Sequence, residues 1–216
     1  MEENSLEITK FIQIARKNYK EGNIYQANEI YRKLINKKIY TYDLLISYGQ
    51  FNKEINNLNI AKNLFILSIK KYPSKINSYI LLAEILRNEN NFNDALKTLQ
   101  LAKKVDKQNP DVDYNLAILY KTIKSSKEAL VSIDAAIKKQ PENKIYKVLK
   151  ADILIECFQD EKAQELLCNL KLRKDSLLHF QSEILISKIF INQKNYSVNR
   201  KFYILILVIF ISKIKT

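Results

Sequence analysis

Apolar side chains recur along this chain at helical spacing, and two ladders of small residues run through them at one fixed interval. Ala27, Ala61, Ala95, Ala129 and Ala163 are each 34 residues apart, and Ala15, Gly49, Ala83, Ala117 and Ala151 repeat the same interval twelve positions earlier. A small side chain lets two helices approach closely where a leucine would hold them apart, so each ladder predicts a helix crossing. When the first ladder is placed at position 20 of a unit and the second at position 8, units begin at Ile8, Tyr42, Ile76, Pro110 and Lys144. Large apolar residues then fall at position 24, as Tyr31, Phe65, Leu99, Ile133 and Leu167. Position 7 holds Ile14, Tyr48, Leu82 and Leu116, with Lys150 as the exception. Large against small is what interdigitating helices require.

Turn chemistry separates the two helices of each unit. Gly22-Asn23, Asn56-Asn57, Asn90-Asn91 and Lys124-Ser125-Ser126 stand between the apolar runs, residue types that tolerate left-handed or capping geometry. Pro73 and Pro141 fall just past a second helix, where they block its continuation, and Pro110 opens a unit at a first-turn position. The pattern predicts stacked helix–turn–helix units, which bury their apolar faces only against neighbours and so build a solenoid.

With these residues in place the chain resembles the tetratricopeptide repeat family. That pattern has small residues at positions 8, 20 and 27, aromatic or apolar ones at 4, 7, 11 and 24, and proline at 32. The resemblance runs from about Ile8 to Lys174 and is clearest in the third and fourth units, where Ala102 and Ala136 also satisfy position 27. Departures are Asn18 and Asn52 at position 11 and Leu34 and Leu170 at position 27. The resemblance implies an all-α, right-handed superhelical solenoid. Residues 1–177 are expected to hold five repeats, and 178–216 a sixth, degenerate one with Ser187 at position 8, Asn199 at 20 and Tyr203 at 24.

Composition agrees with one extended helical array: 216 residues, two glycines, three prolines and no tryptophan. The opening "MEENSLEITK" is polar and acidic where a secretory segment would be basic and then apolar, so a cytoplasmic location is expected. Cys157 and Cys168 lack metal-ligand or disulfide-framework spacing and read as free thiols. The net charge of +13 raises the question of nucleic acid. Acidic residues are interleaved with the lysines, however, and no arginine-rich run appears, so nucleic acid is not the expected partner.

Catalytic chemistry is not written into the chain. His179 is the single histidine, glycine occurs only at Gly22 and Gly49, and no phosphate loop, nucleophile elbow or metal spacing is present. No catalytic residue, cofactor site or metal site is therefore expected, and a non-enzymatic role is.

What remains is a groove. In the family resembled, the first helix of each repeat lines a concave face through positions such as 5, 9 and 12. Here position 5 reads Ile12, Ile46, Ile80, Tyr114 and Val148, an apolar row suited to an extended peptide or an amphipathic helix. Position 9 reads Arg16, Gln50, Glu84, Ile118 and Asp152, and position 12 contributes Tyr19, Lys53, Arg87 and Lys121, with positive charge expected toward the middle. The competing reading of position 5 is that it only completes helix packing. Some family members clamp a terminal carboxylate with Lys and Asn; Ile12 and Arg16 stand at those places here, so that activity does not carry over.

From Phe202 to Ile211 the chain reads "FYILILVIFI", apolar on every side and flanked by Arg200, Lys201, Lys213 and Lys215. Ten helical residues span roughly 15 Å, about half a bilayer's hydrocarbon thickness, so a spanning helix is not expected. Self-association, a partner surface, a membrane-surface contact or an array cut short of a further domain are the readings this segment leaves. The expected function is a scaffold that holds a protein or peptide segment in the concave groove. The alternatives are a substrate-recruiting part of a sulfotransferase- or glycosyltransferase-like enzyme, and a membrane-associated assembly factor acting through the apolar tail.

Overall fold

The computed structural model describes residues 2–170, 172 and 176–192, and the side chains of 6–170, 172 and 176–189. The expected Asn199, Tyr203 and the 202–211 segment lie outside the described residues. Among the described residues the secondary structure is α-helix and turn. The first three hairpins are α1 (Glu2–Lys20) with α2 (Ile24–Asn36), α3 (Tyr42–Glu54) with α4 (Leu58–Lys71), and α5 (Ile76–Asn88) with α6 (Phe92–Val105). Then follow α7 (Pro110–Thr122) with α8 (Ser126–Lys139), α9 (Lys144–Glu156) with α10 (Asp160–Cys168), and α11 (Leu177–Asn192). The chain falls into two compact units that divide between Lys107 and Gln108.

Four first helices begin where the small-residue ladder places them, at Tyr42, Ile76, Pro110 and Lys144. The exception is α1, which starts at Glu2 rather than Ile8. Side chains supply several of these starts. Thr41 Oγ1 accepts from the Leu44 amide at 3.3 Å, Asn109 Oδ1 from Asp111 and Val112 at 3.0 and 3.3 Å, and Asn143 Oδ1 from Ile145 at 3.0 Å.

The inter-helix turn is the same in all five hairpins. Gly22, Asn56, Asn90, Lys124 and Phe158 each take positive φ, between 57° and 82°. The next residue's amide reaches back to a carbonyl five residues earlier, as in Asn57 to Asn52 at 2.7 Å and Gln159 to Leu154 at 2.9 Å. This is the six-to-one bond that closes a helix through a left-handed residue. The fifth turn has no Gly or Asn in that place, so residue type alone did not announce it; the interval did.

Both small ladders and the whole of position 24 are buried. At Gly49 even a methyl is too much, because a Cβ there would lie 2.9 Å from Phe65 Cδ1 and closer still to Cε1. Position 7 of one repeat packs on position 24 of the repeat before it: Tyr48 stacks on Tyr31 with centroids 5.0 Å apart, and Leu82 shares a core with Phe65. Ile14, at position 7 of the first repeat, has no described helix before α1 to pack on and is 47% exposed. Lys150 substitutes an ion pair for the apolar contact, 2.7 Å from Asp134. The two asparagines at position 11 are accommodated in one way: Asn18 Nδ2 donates to Ile14 O at 2.9 Å and Asn52 Nδ2 to Tyr48 O at 2.8 Å. The helix's own carbonyls thus satisfy a donor where the repeat pattern carries an apolar residue.

Candidate groove of the first helices

Position 5 divides into two groups. Ile12, Ile46 and Val148 are buried, the first in a cluster with Ala27, Tyr31 and Leu34 and the second with Ala61, Phe65 and Leu82. Ile80 and Tyr114 are half-exposed. Three of the five apolar positions therefore pack the array rather than form a continuous apolar row. The reason lies in angle: position 5 stands one turn from the buried position 8, so small rotations of each helix decide whether its side chain turns inward.

In the first unit, α1 and α3 frame a depression of about 210 Å³ lined by Arg16, Tyr19, Tyr31, Gln50, Phe51 and Glu54, among others. Arg16 is exposed and donates from Nη2 to Ser47 Oγ at 2.5 Å. The Tyr19 ring stands edge-on to Phe51, centroids 5.4 Å apart. Burial pushes the Tyr31 hydroxyl above the ordinary tyrosine range, while Arg16 beside it pulls the other way. Farther along, Lys53 Nζ lies 2.7 Å from Glu84 Oε2. Arg87 is half-buried and reaches only the Asn88 side chain, at 3.4 Å; among the described residues it makes no ion pair.

In the second unit, α7, α9 and α11 frame a depression of about 310 Å³, its walls including Tyr114, Val148, Leu149, Ile184, Asp152 and Lys188. Tyr114 stacks on Tyr146 with centroids 5.0 Å apart, and the Tyr146 hydroxyl donates to Asp111 Oδ1 at 2.6 Å. Burial first, and that bond to a carboxylate second, raise the Tyr146 hydroxyl well above its ordinary range. Ile118 is half-exposed. Lys121 Nζ sits 2.9 Å from Asp152 and 3.0 Å from Glu156. Burial alone would lower the Lys121 ammonium; the two carboxylates outweigh it and leave its pKa above that of an ordinary lysine. Lys188 approaches Asp152 at 3.4 Å from α11.

The expected positive centre of the groove is thus largely neutralised. Lys53 and Lys121, both at position 12, each pair with the acidic residue at position 9 of the next repeat, 31 residues on. That offset is the 34-residue interval less one helical turn, so the charge complement could have been read from the sequence. Ile184 and Lys188 stand at positions 5 and 9 of the sixth unit that Ser187 at position 8 sets, so the register could have named them with the groove, whereas Ser47, at position 6, joined the site only in three dimensions.

Other chemistry-bearing groups do not converge here. His179 is half-buried against Phe180, Cys157 is half-buried and Cys168 exposed, and both thiols are free. Among the described residues no cluster of three His, Cys, Asp or Glu side chains could hold a metal ion, and no helix is long and apolar enough to cross a membrane.

No protein-family model matches the sequence. No curated protein matches it either. Solved structures do match in shape. A tetratricopeptide repeat protein from Parabacteroides merdae superposes with a TM-score of 0.74 over 94% of this chain and 86% of its own, at 14% identity. PilF of Pseudomonas aeruginosa matches with a TM-score of 0.68 over 92% and 88%, also at 14% identity. A tetratricopeptide protein of Thermus thermophilus matches at 0.62 over 93% and 99%, with 12% identity. At such identities the likeness is one of fold, and the fold is the all-α solenoid of tetratricopeptide repeat proteins.

Proposed function

We propose that this tetratricopeptide-fold chain is a non-enzymatic scaffold that holds a protein or peptide segment against the exposed face of its first helices. The observation that carries the reading is the depression between α7, α9 and α11, with an apolar floor at Tyr114, Val148 and Ile184 and an acidic and a basic group, Asp152 and Lys188, at its rim. A floor of that kind takes an apolar side chain of an incoming segment while the rim orients its backbone and polar groups. Ile80 offers a second apolar contact in the first unit, half-exposed on α5 one turn before Glu84 and two turns before Arg87.

The partner is a protein rather than a small substrate on this reading, because each unit offers an open surface depression on its first helices, of about 210 and 310 Å³, and not an enclosed cavity. On this reading residues 1–177 hold the five repeats and 178–216 are proposed as a sixth, degenerate one. The free thiols Cys157 and Cys168 suit a reducing compartment such as the cytoplasm.

The test is capture of partners by the full chain, by Ile80→Asp, and by Ile66→Asp, a control on α4 where the native isoleucine is exposed. Proteins retained by the wild type and by Ile66→Asp, but lost by Ile80→Asp with an unchanged thermal melt, are the expected outcome. Retention of every partner by Ile80→Asp, or unfolding of that variant, would sink the groove reading.

A further inference from the structure

Two lysine-rich stretches join successive repeats of the first unit: "KKIYTY" at 37–42 and "KKYPSK" at 70–75. Packing of α2 and α3 against α4 and α5 brings them side by side. The Tyr72 hydroxyl donates to Tyr40 O at 2.8 Å, and the Tyr72 and Tyr42 rings meet edge to face at 5.8 Å. On this tyrosine framework Lys71 Nζ stands 5.1 Å over the Tyr40 ring and Lys75 Nζ 5.4 Å over the Tyr42 ring. Lys38, Tyr40, Thr41, Lys71 and Tyr72 surround an open depression of about 400 Å³.

The charge here is uncompensated. Lys37, Lys38, Lys70, Lys71 and Lys75 are all exposed, and among the described residues none makes an ion pair. From 37 to 43 and from 70 to 76 the only acidic residue is Asp43. Some lysines elsewhere are answered, as Lys53 is by Glu84, Lys62 by Glu89, and Lys139 by Asp113. Others such as Lys10 and Lys127 stand exposed and singly, so what sets this edge apart is the gathering of five such lysines in the two stretches beside one depression.

Two of these lysines also sit where local stability favours other residues. Lys38 holds φ of 60°, a conformation that glycine or asparagine adopts at lower cost. Lys75 occupies the N-cap of α5 without any side-chain capping bond, at the helix end whose dipole repels a cation. Helix-end electrostatics account for Lys70 and Lys71 at the close of α4, and not for these two.

We infer that this inter-repeat edge is a second docking surface, distinct from the groove, for an acidic segment of a partner protein. The inference rests on the reading of the chain as a protein-binding array. Charge complementarity selects a polyanion, and the edge's own construction selects among polyanions. A lysine ammonium lies over one face of each of the Tyr40 and Tyr42 rings, in the place where a base of single-stranded nucleic acid would stack. The isoleucines of the two stretches do not project for insertion into lipid: Ile39 packs on the core and Ile76 is buried. What remains is an array of ammoniums held in place over aromatic rings, ready to meet carboxylates.

The experiment is an anisotropy titration of the full chain with a fluorescein-labelled deca-glutamate peptide at low salt. Lys38→Gln/Lys71→Gln/Lys75→Gln is expected to bind roughly tenfold more weakly than the wild type. The charge-matched control Lys10→Gln/Lys127→Gln/Lys162→Gln is expected to stay within about twofold. Equal losses in the two triples would reduce the effect to net charge and overturn the site, as would a wild type that does not bind. A deca-thymidine oligonucleotide and phosphatidylserine vesicles form the other arms; tighter, Lys71-dependent binding of either would overturn the protein segment as occupant. A failed groove shows itself separately, as unchanged capture by Ile80→Asp, and leaves this titration untouched.

Discussion

Phe158 shows what a fixed backbone asks of a single residue. It occupies the left-handed turn position that Gly22, Asn56 and Asn90 fill in the earlier hairpins, with φ of 57° and 87% of its surface exposed. A bulky side chain in that region strains against its own carbonyl, at a cost of roughly 1–2 kcal/mol. The exposed ring has little packing to lose, so Phe158→Asn is expected to raise stability by about 0.5–1 kcal/mol in urea unfolding. A loss of stability would mean that the ring makes a contact worth more than the strain. The same conformation at Lys124 shows that the interval, and not the residue, sets this turn. Sequence reading located four of these turns from their Gly, Asn and Ser content and had no residue signal for the fifth.

The helices follow their ladders closely, because a small residue at a crossing leaves one way to pack. The links between successive first helices are a different matter, since they depend on long side chains. Lys121, its side chain 23% exposed, is placed between Asp152 and Glu156, and Glu156 Oε2 already lacks a hydrogen-bond partner. Lys121→Met would leave two carboxylates one helical turn apart with only the more distant Lys124 and Lys188 to offset them. A loss of about 1–2 kcal/mol in thermal or urea melts is expected, reduced by partial solvent screening. Lys124→Ala, which removes a lysine 78% exposed, is expected to change stability by no more than about 0.5 kcal/mol. Similar losses from the two would show that Lys121 gains nothing from its partial burial.

In a repeat array each element touches only its neighbours, so damage should stay local. Ala95 lies fully buried on α6, which packs against α5, and Ala95→Leu would overpack that crossing at a cost of roughly 1–3 kcal/mol. Hydrogen exchange is expected to report lost protection in α5 and α6 with α1 unchanged; protection lost evenly along the first unit would mean that it unfolds as one block. The same locality explains what could be read in advance. For the first five hairpins, helix phase after α1, turn sites and the buried small-residue and position-24 ladders were determined by the sequence alone, because a strict interval converts each residue's place in the chain into its place in the stack. Tertiary structure alone decided that Ile12, Ile46 and Val148 are packed while Ile80 and Tyr114 are half-exposed, and that Ser47 meets Arg16 in the groove. It also decided that Lys71 and Lys75 stand over Tyr40 and Tyr42 in an unneutralised cluster. These outcomes turn on helix rotation and on where long side chains end, quantities of a few ångströms that a repeat interval does not encode.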